Sequence, residues 1–247
     1  MRFSPKKILA RYAKLAELAF FPSFCKICGT LLESPGDRVV CRACLDKIRP
    51  CRLSSCVCCG RYFEGVGEDH LCGSCLREPP PFALHRSGGR YRDELKDVLL
   101  LFKYRRYRVL GKDLAALLYE SQKREESLWW GVGAIVPVPL HKRRLKERGF
   151  NQACVLAGEL GRLKGLPVED GVLRKIENIP PQTSLERKER RNNVRGAYAV
   201  ARPEKIAGRI LLLVDDVFTT GSTIGECASV LKKAGAKEVR AVTIAQA

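Results

Sequence analysis

Two sets of residues in this chain have types and spacings that can do chemistry. The first is LLLVDDVFTTGST at residues 211–223, a short apolar run followed by two adjacent acids and a turn of Thr, Thr, Gly and Ser. An apolar spacing of helical period resumes at Ile224, so the order predicts a buried parallel strand, a binding loop and a helix N-terminus. Thr219, Thr220, Gly221, Ser222 and Thr223 offer hydroxyls and backbone N–H groups. Gly221 permits close backbone approach and the helix start adds unpaired donors, which together suit a phosphate. Asp215 and Asp216, at the carboxyl end of the strand, are placed to accept ribose hydroxyls or to hold a magnesium ion directly or through water.

The second set is the cysteines. The chain has 12, and all but Cys154 and Cys227 lie between Cys25 and Cys75. Eight form C-x-x-C pairs: Cys25 and Cys28, Cys41 and Cys44, Cys56 and Cys59, Cys72 and Cys75. Residues 25–45 and 56–76 align without a gap, each with Gly after the first pair and Leu after the second. This internal repeat reads as knuckle, turn-rich hairpin and knuckle, twice over, with four thiolates around each of two structural zinc ions. Either each repeat binds its own ion or the repeats are cross-braced. Cys51 and Cys58 are spare thiols, and a disulfide scaffold would need an oxidising compartment that nothing else here supports. So small a module buries little apolar surface, and metal binding supplies most of its folding energy.

The elements that must position these residues follow from periodicity. With 247 residues and 45% apolar content, the chain is expected to form two domains. They are a helix and double zinc-ribbon module over residues 1–80, and a second domain over 81–247. Ile8, Leu9, Tyr12 and Leu15 are spaced for an amphipathic helix within residues 5–20 that covers the edge of the ribbon module. Residues 77–88, proline-rich and then polar, read as a linker. Neither His70 nor His85 has the spacing of a required ligand. Two helical patterns follow, Leu95, Val98, Leu99 and Phe102, then Leu110, Leu114 and Leu117. Between them Lys103, Tyr104, Arg105, Arg106 and Arg108 mix cations with aromatic rings, a composition that can contact phosphates and stack on bases; the same residues also suit solvated helix ends.

A strand from Gly133 ends in a proline-bounded turn and a basic loop, where Lys142, Arg143 and Arg144 are well placed for pyrophosphate. Arg148 and Gln152 support that loop, His141 is a bystander, and a helix covers residues 151–163. After a short strand near Val172 and Leu173, residues 174–200 are basic and lack an apolar stripe, which predicts a lid containing Arg187 and Arg190. The chain closes with the strand of residues 210–214, a helix from Thr223 to Lys233 with a Thr223/Glu226 capping box and Cys227 on its apolar side, and a strand over 238–244. The whole reads as an α/β fold with a mostly parallel sheet flanked by helices.

The formal net charge of +18 points to polyanionic partners. No apolar run approaches the roughly 20 residues that span a bilayer, and the first 25 residues lack a signal-like apolar core with a cleavage site. A cytoplasmic protein without a membrane span is expected.

Residues 211–223 resemble the phosphoribosyl pyrophosphate (PRPP) motif of type I phosphoribosyltransferases. Almost the whole chain resembles the ComF (ComFC) family of competence-associated, phosphoribosyltransferase-like proteins. The residues that carry this are the FP-x-x-C start at Phe21, Pro22 and Cys25, PVPLHKRRLKERGFNQ at 137–152, PPQTSLERKERRNNVRGAY at 180–198, and the acidic strand and loop. The resemblance implies a type I phosphoribosyltransferase-like domain beside a four-cysteine zinc-ribbon module, binding PRPP or a related phosphorylated ribose with Mg²⁺. In such an enzyme Asp215 and Asp216 stabilise the ribose side of a positively charged transition state, while Arg187, Arg190 and residues 142–144 draw charge onto the departing pyrophosphate. It also implies work on imported single-stranded DNA alongside an ATP-driven helicase. The alternative is a non-catalytic single-strand-binding or helicase-adaptor protein with a relic or sensory PRPP site.

Overall fold

The computed structural model describes residues 20, 22–32, 38–48, 51, 53–65, 67–176 and 196–247. Residues 5–19 of the expected N-terminal helix, and residues 177–195 with Arg187 and Arg190, lie outside the described residues.

Four strands form one parallel sheet: β1 (Leu84–Arg90), β2 (Val132–Pro137), β5 (Ile210–Phe218) and β6 (Glu238–Gln246), side by side in the order β1, β6, β5, β2. Both faces of this sheet are covered. Along β5, Leu212 and Val214 join one core cluster and Leu211 and Leu213 the other, the two-residue alternation of a pleated strand buried on both sides. The first cluster is closed by α3 (Asp93–Tyr104), α4 (Leu110–Gln122) and α7 (Gln152–Lys164), through side chains such as Phe102, Leu114 and Leu156. The second is closed by α8 (Ser222–Lys233), through Ile224, Cys227 and Leu231, and by the antiparallel pair β3 (Leu173–Lys175) and β4 (Tyr198–Val200). Cys227 is wholly buried, a small core residue as its spacing implied. Between these elements lie the short helices α5 (Glu126–Trp129) and α6 (Lys142–Arg148). Among the described residues no helix is long and apolar enough to cross a membrane.

The ribbon repeats contribute short helices α1 (Arg42–Lys47) and α2 (Gly73–Arg77), each starting just after a cysteine. The first repeat packs Leu32, Val40 and Ile48 into the α3 side of the core, and the second packs its cysteines with Phe82 and Phe218 on the other side.

Three expectations change. Residues 84–88 belong to an edge strand rather than a linker: LHRSGGR has no apolar run, because its polar groups are satisfied by the second ribbon. His85 N–H donates to Cys58 O (2.8 Å), Arg86 Nη1 to Val57 O (3.1 Å), and Ser87 Oγ bonds Tyr62 Oη (2.9 Å). The basic loop after β2 is the helix α6; His141 caps it, accepting from Arg143 N–H, and Gly149 ends it in the left-handed region. The Thr223/Glu226 capping box does not form: Gly221 is the N-cap residue, and Glu226 Oε1 accepts instead from Gly196 N–H (2.7 Å).

Candidate functional site

The cysteines fall into two sets, Cys25, Cys28, Cys41 and Cys44, and Cys56, Cys59, Cys72 and Cys75, and within each set the sulfurs all lie within 4.8 Å of one another. Each repeat therefore closes on itself and the cross-braced arrangement is excluded. Tetrahedral zinc with Zn–S bonds of ~2.3 Å needs sulfurs ~3.8 Å apart. Cys25 to Cys44 is 3.9 Å, Cys28 to Cys41 3.6 Å and Cys59 to Cys72 3.8 Å. Backbone N–H groups already point at the ligand sulfurs, from Cys41 to Cys25 (3.3 Å), and from Cys59 (3.4 Å) and Cys72 (3.3 Å) to Cys56. Burial raises the Cys56 thiol, but the backbone N–H groups outweigh it and bring the thiol down to about 7. The donor set, spacing and N–H···S bonds are those of structural zinc sites. Cys58 and Cys51 stand outside both sets, and His70 stacks on Phe63 (centroids 4.1 Å apart) instead of ligating.

The carboxyl ends of all four parallel strands meet at a cleft of about 350 Å³. Tyr91 follows β1, Val138 to His141 follow β2, Val217 and Thr219 come from the end of β5, and Ala247 follows β6. Ligand crevices in open α/β sheets form at this edge. Asp215 and Asp216 lie in the cleft wall, and as neighbours on a strand they point to opposite faces of the sheet. Asp216 meets the α3 side: Lys103 Nζ is 3.0 Å from its Oδ1 and Arg148 Nη1 3.8 Å from its Oδ2. Arg148 is itself fixed, donating to Gln152 Oε1 (3.0 Å) and lying over the Tyr104 ring, 5.4 Å from its centroid. Asp215 meets the α8 side, within electrostatic reach of Lys175, Tyr198 and Cys227, and its Oδ1 accepts from Asp216 N–H (2.8 Å). Burial, then the Asp216 charge, push the Asp215 carboxyl up to about 7, against the pull of Lys103 and Arg148. Burial, then Arg144, hold the Lys175 ammonium below its usual range, and burial pushes the Tyr198 phenol up. The cleft thus sets Lys103, Arg144, Arg148 and Lys175 against two carboxylates, a surplus of positive charge suited to a polyanion that also carries hydroxyls.

Of the expected phosphate-loop residues, Thr219 and Thr223 line the cleft. Thr220, Gly221 and Ser222 line an adjoining groove of about 430 Å³ against the second ribbon. Gly221 has φ of +79°, and a Cβ there would stand 2.6 Å from Phe218 Cζ, so the loop needs glycine on both counts. Arg144 reaches the cleft, whereas exposed Arg143 pairs with Glu147 (3.1 Å) and Lys142 is not among the cleft-lining residues. Lys103, grouped from sequence with the nucleic-acid candidates, sits in the cleft; Arg105, Arg106 and Arg108 stand outside it, and Arg106 donates to Glu147 O (2.9 Å). Lys175 and Tyr198 were not foreseen. Lys175 was marked only by its position at the margin of a long polar stretch, and Tyr198 by that and by closing the segment 180–198 that carries the family resemblance.

Comparison with known proteins agrees with this architecture. A protein-family model described as "Phosphoribosyl transferase domain" matches residues 162–247, and one described as "Double zinc ribbon domain" matches residues 18–76. Competence protein F of Haemophilus influenzae is 34% identical over 163 residues, covering 64% of this chain and 71% of that protein. The chain belongs to the ComF family. The DNA utilization protein YhgH of Salmonella typhimurium, another relative, is 30% identical over 166 residues, covering 66% of this chain and 72% of its own. Among solved structures, this ComF-family chain is similar to the glutamine PRPP amidotransferase of B. subtilis at 23% identity with a TM-score of 0.34, over 57% of this chain. It spans about a quarter of that enzyme's length, 26%.

Proposed function

We propose that this ComF-family protein binds PRPP with Mg²⁺ in the cleft at the end of β5 and acts as a phosphoribosyltransferase-type protein together with single-stranded DNA during DNA uptake. The observation that carries the reading is the convergence, in one cleft, of Asp215 and Asp216, hydroxyls from Thr219 and Thr223, and the cations Lys103, Arg144, Arg148 and Lys175. The phosphate and pyrophosphate groups of such a sugar complement the cations and hydroxyls, and its ribose hydroxyls complement the acidic end of β5.

In this reading the phosphate sits on the hydroxyls and N–H groups of residues 219–223, at the start of α8. Asp215 accepts a ribose hydroxyl. Arg144 and Lys175, in the same cleft, attract the pyrophosphate and stabilise the negative charge that grows on it as an acceptor nucleophile takes C1 and the C1–O bond breaks. Asp215 also fits a divalent cation: it is half-buried, its one described bond is from the Asp216 N–H, and burial and the second negative charge beside it make a cation there favourable. Bound Mg²⁺ supplies Lewis-acid neutralisation of the pyrophosphate oxygens. The names of the relatives, a competence protein and DNA utilization proteins, together with the net charge of +18, support DNA as the setting; the competence helicase stays a proposed partner.

The test is calorimetric titration of PRPP with Mg²⁺ into the wild-type chain and an Asp215→Ala/Asp216→Ala variant, each with and without a short single-stranded oligonucleotide. Saturable binding that disappears in the variant, and whose affinity shifts when the oligonucleotide is present, is the expected result. Heats equal to dilution under all conditions would overturn the reading.

A further inference from the structure

Lys103 comes from the last turn of α3, far in sequence from the acids, and its side chain is only 12% exposed. An ammonium has three N–H donors. Among the described residues its one partner is Asp216 Oδ1 at 3.0 Å, yet it lines the cleft. A nearly buried cation with donors to spare, open to a cleft, is built to meet more oxygen acceptors.

Its partner makes the same point from the other side. Asp216 carries Lys103 on one oxygen and Arg148 near the other, so one negative charge faces two positive ones. Those cations repel a divalent ion from the Asp216 carboxylate, whereas Asp215, on the opposite face of the strand, has no cation at ion-pair distance among the described residues. The amide of Gln152 is buried; its Oε1 takes the Arg148 guanidinium and its Nε2 has no partner among the described residues. The orientation of this amide is thus set by the bond to Arg148, which keeps the guanidinium beside Asp216.

From this arrangement we infer that the two acids do different work: Asp216 is a positioning residue that holds Lys103 and Arg148 in the cleft, and Lys103 Nζ is the direct ligand for the phosphate oxygens of the incoming anion. The inference rests on the proposed PRPP reading and adds an anion-binding residue that lies outside both the acidic strand and the basic segment after β2. When the anion arrives, the ammonium shares its donors between Asp216 and a phosphate oxygen, and the metal and ribose are left to Asp215.

The experiment measures calorimetric affinity for PRPP with Mg²⁺, and for inorganic pyrophosphate with Mg²⁺, in wild type, Lys103→Met, Lys103→Arg and Asp216→Asn. Loss of a charge-assisted contact weakens both ligands in Lys103→Met by about tenfold or more, and Lys103→Arg recovers most of that loss. Asp216→Asn, which keeps the cation, loses less than Lys103→Met. If Lys103→Met does not fold, the double variant Lys103→Met/Asp216→Asn, which strands no charge, takes its place. Affinities in the Met variants within about twofold of a PRPP-binding wild type would overturn the role of Lys103 while leaving the PRPP site standing. A wild type that binds no PRPP removes both.

Discussion

Asp215 is the residue whose chemistry can be read most directly in solution. Burial and the adjacent Asp216 push its carboxyl up to about 7, above the unfolded value of about 4. Between those limits the native state holds a proton that the unfolded chain has released, so stability falls as pH rises through the window and the loss is complete above about pH 7. Asp215→Asn removes the titration. The variant's unfolding free energy, measured by denaturant titration without ligand, is expected to lack this decline and to exceed wild type by about 1 to 3 kcal/mol at about pH 7.5. Two curves that run parallel from about pH 4 to 8 would show that the carboxyl is not perturbed. The acids were legible in the sequence because strand, charge and loop are contiguous there. Lys103 was legible only as a basic residue beside a tyrosine: its carboxylate partner lies on β5, and nothing local to FKYRRYR records which cation turns inward.

Elements whose burial is two-sided and apolar, such as β5 and β6, were readable from composition, as were α3 and α4 from their period. β1 was not, since its polar side chains are satisfied by the ribbon that covers it, a tertiary fact with no sequence period. Nor was α6, whose buried residues are none, so it leaves no apolar stripe to find. Helix packing is tested by two glycines. Gly111 on α4 faces α7, and a Cβ there would overlap Val155 Cγ1 and stand 3.4 Å from Phe102 Cε2, whereas Gly158 on the outer side of α7 has nothing within 4 Å. Gly111→Ala is expected to cost about 1 to 3 kcal/mol through overpacking. Gly158→Ala should gain about 0.5 to 1 kcal/mol, because a helix-interior glycine gives up backbone entropy for no contact. Chemical denaturation of both variants checks the pair, and equal effects would mean that α4 and α7 do not approach this closely.

At the scale of the whole molecule, the zinc ribbons brace the two walls of the cleft separately. The first repeat shares a core with Leu95, Val98, Leu99 and Phe102 of α3, and the last turn of α3 carries the lysine that meets Asp216. The second repeat grips β1: the buried His85 ring lies 2.8 Å from Cys59 O through Nδ1 and 3.0 Å from Thr243 Oγ1 through Nε2, while Gly60 at φ of +66° lets the backbones close. His85 also stacks on Phe218, centroids 4.0 Å apart and nearly parallel at 21°, and Phe218 is the last residue of β5 before the Thr-Thr-Gly turn. Burial drives the His85 imidazole down to about 3, so it is a neutral spacer with fixed partners. A ligand cysteine therefore reaches the phosphate loop through one imidazole and one phenyl ring, whereas the other ribbon meets the cleft through the helix carrying Lys103. Each four-cysteine set should then be separable. Cys28→Ser/Cys41→Ser is expected to lower zinc content from two to one per chain and to raise amide hydrogen exchange in α3. Cys59→Ser/Cys72→Ser is expected to lose the other zinc and to raise exchange in β1 and at residues 218–222, with α3 little changed. Exchange that rises in the same segments for both variants, or stays within the damaged ribbon, would mean that the ribbons brace the molecule as one block or do not brace the cleft.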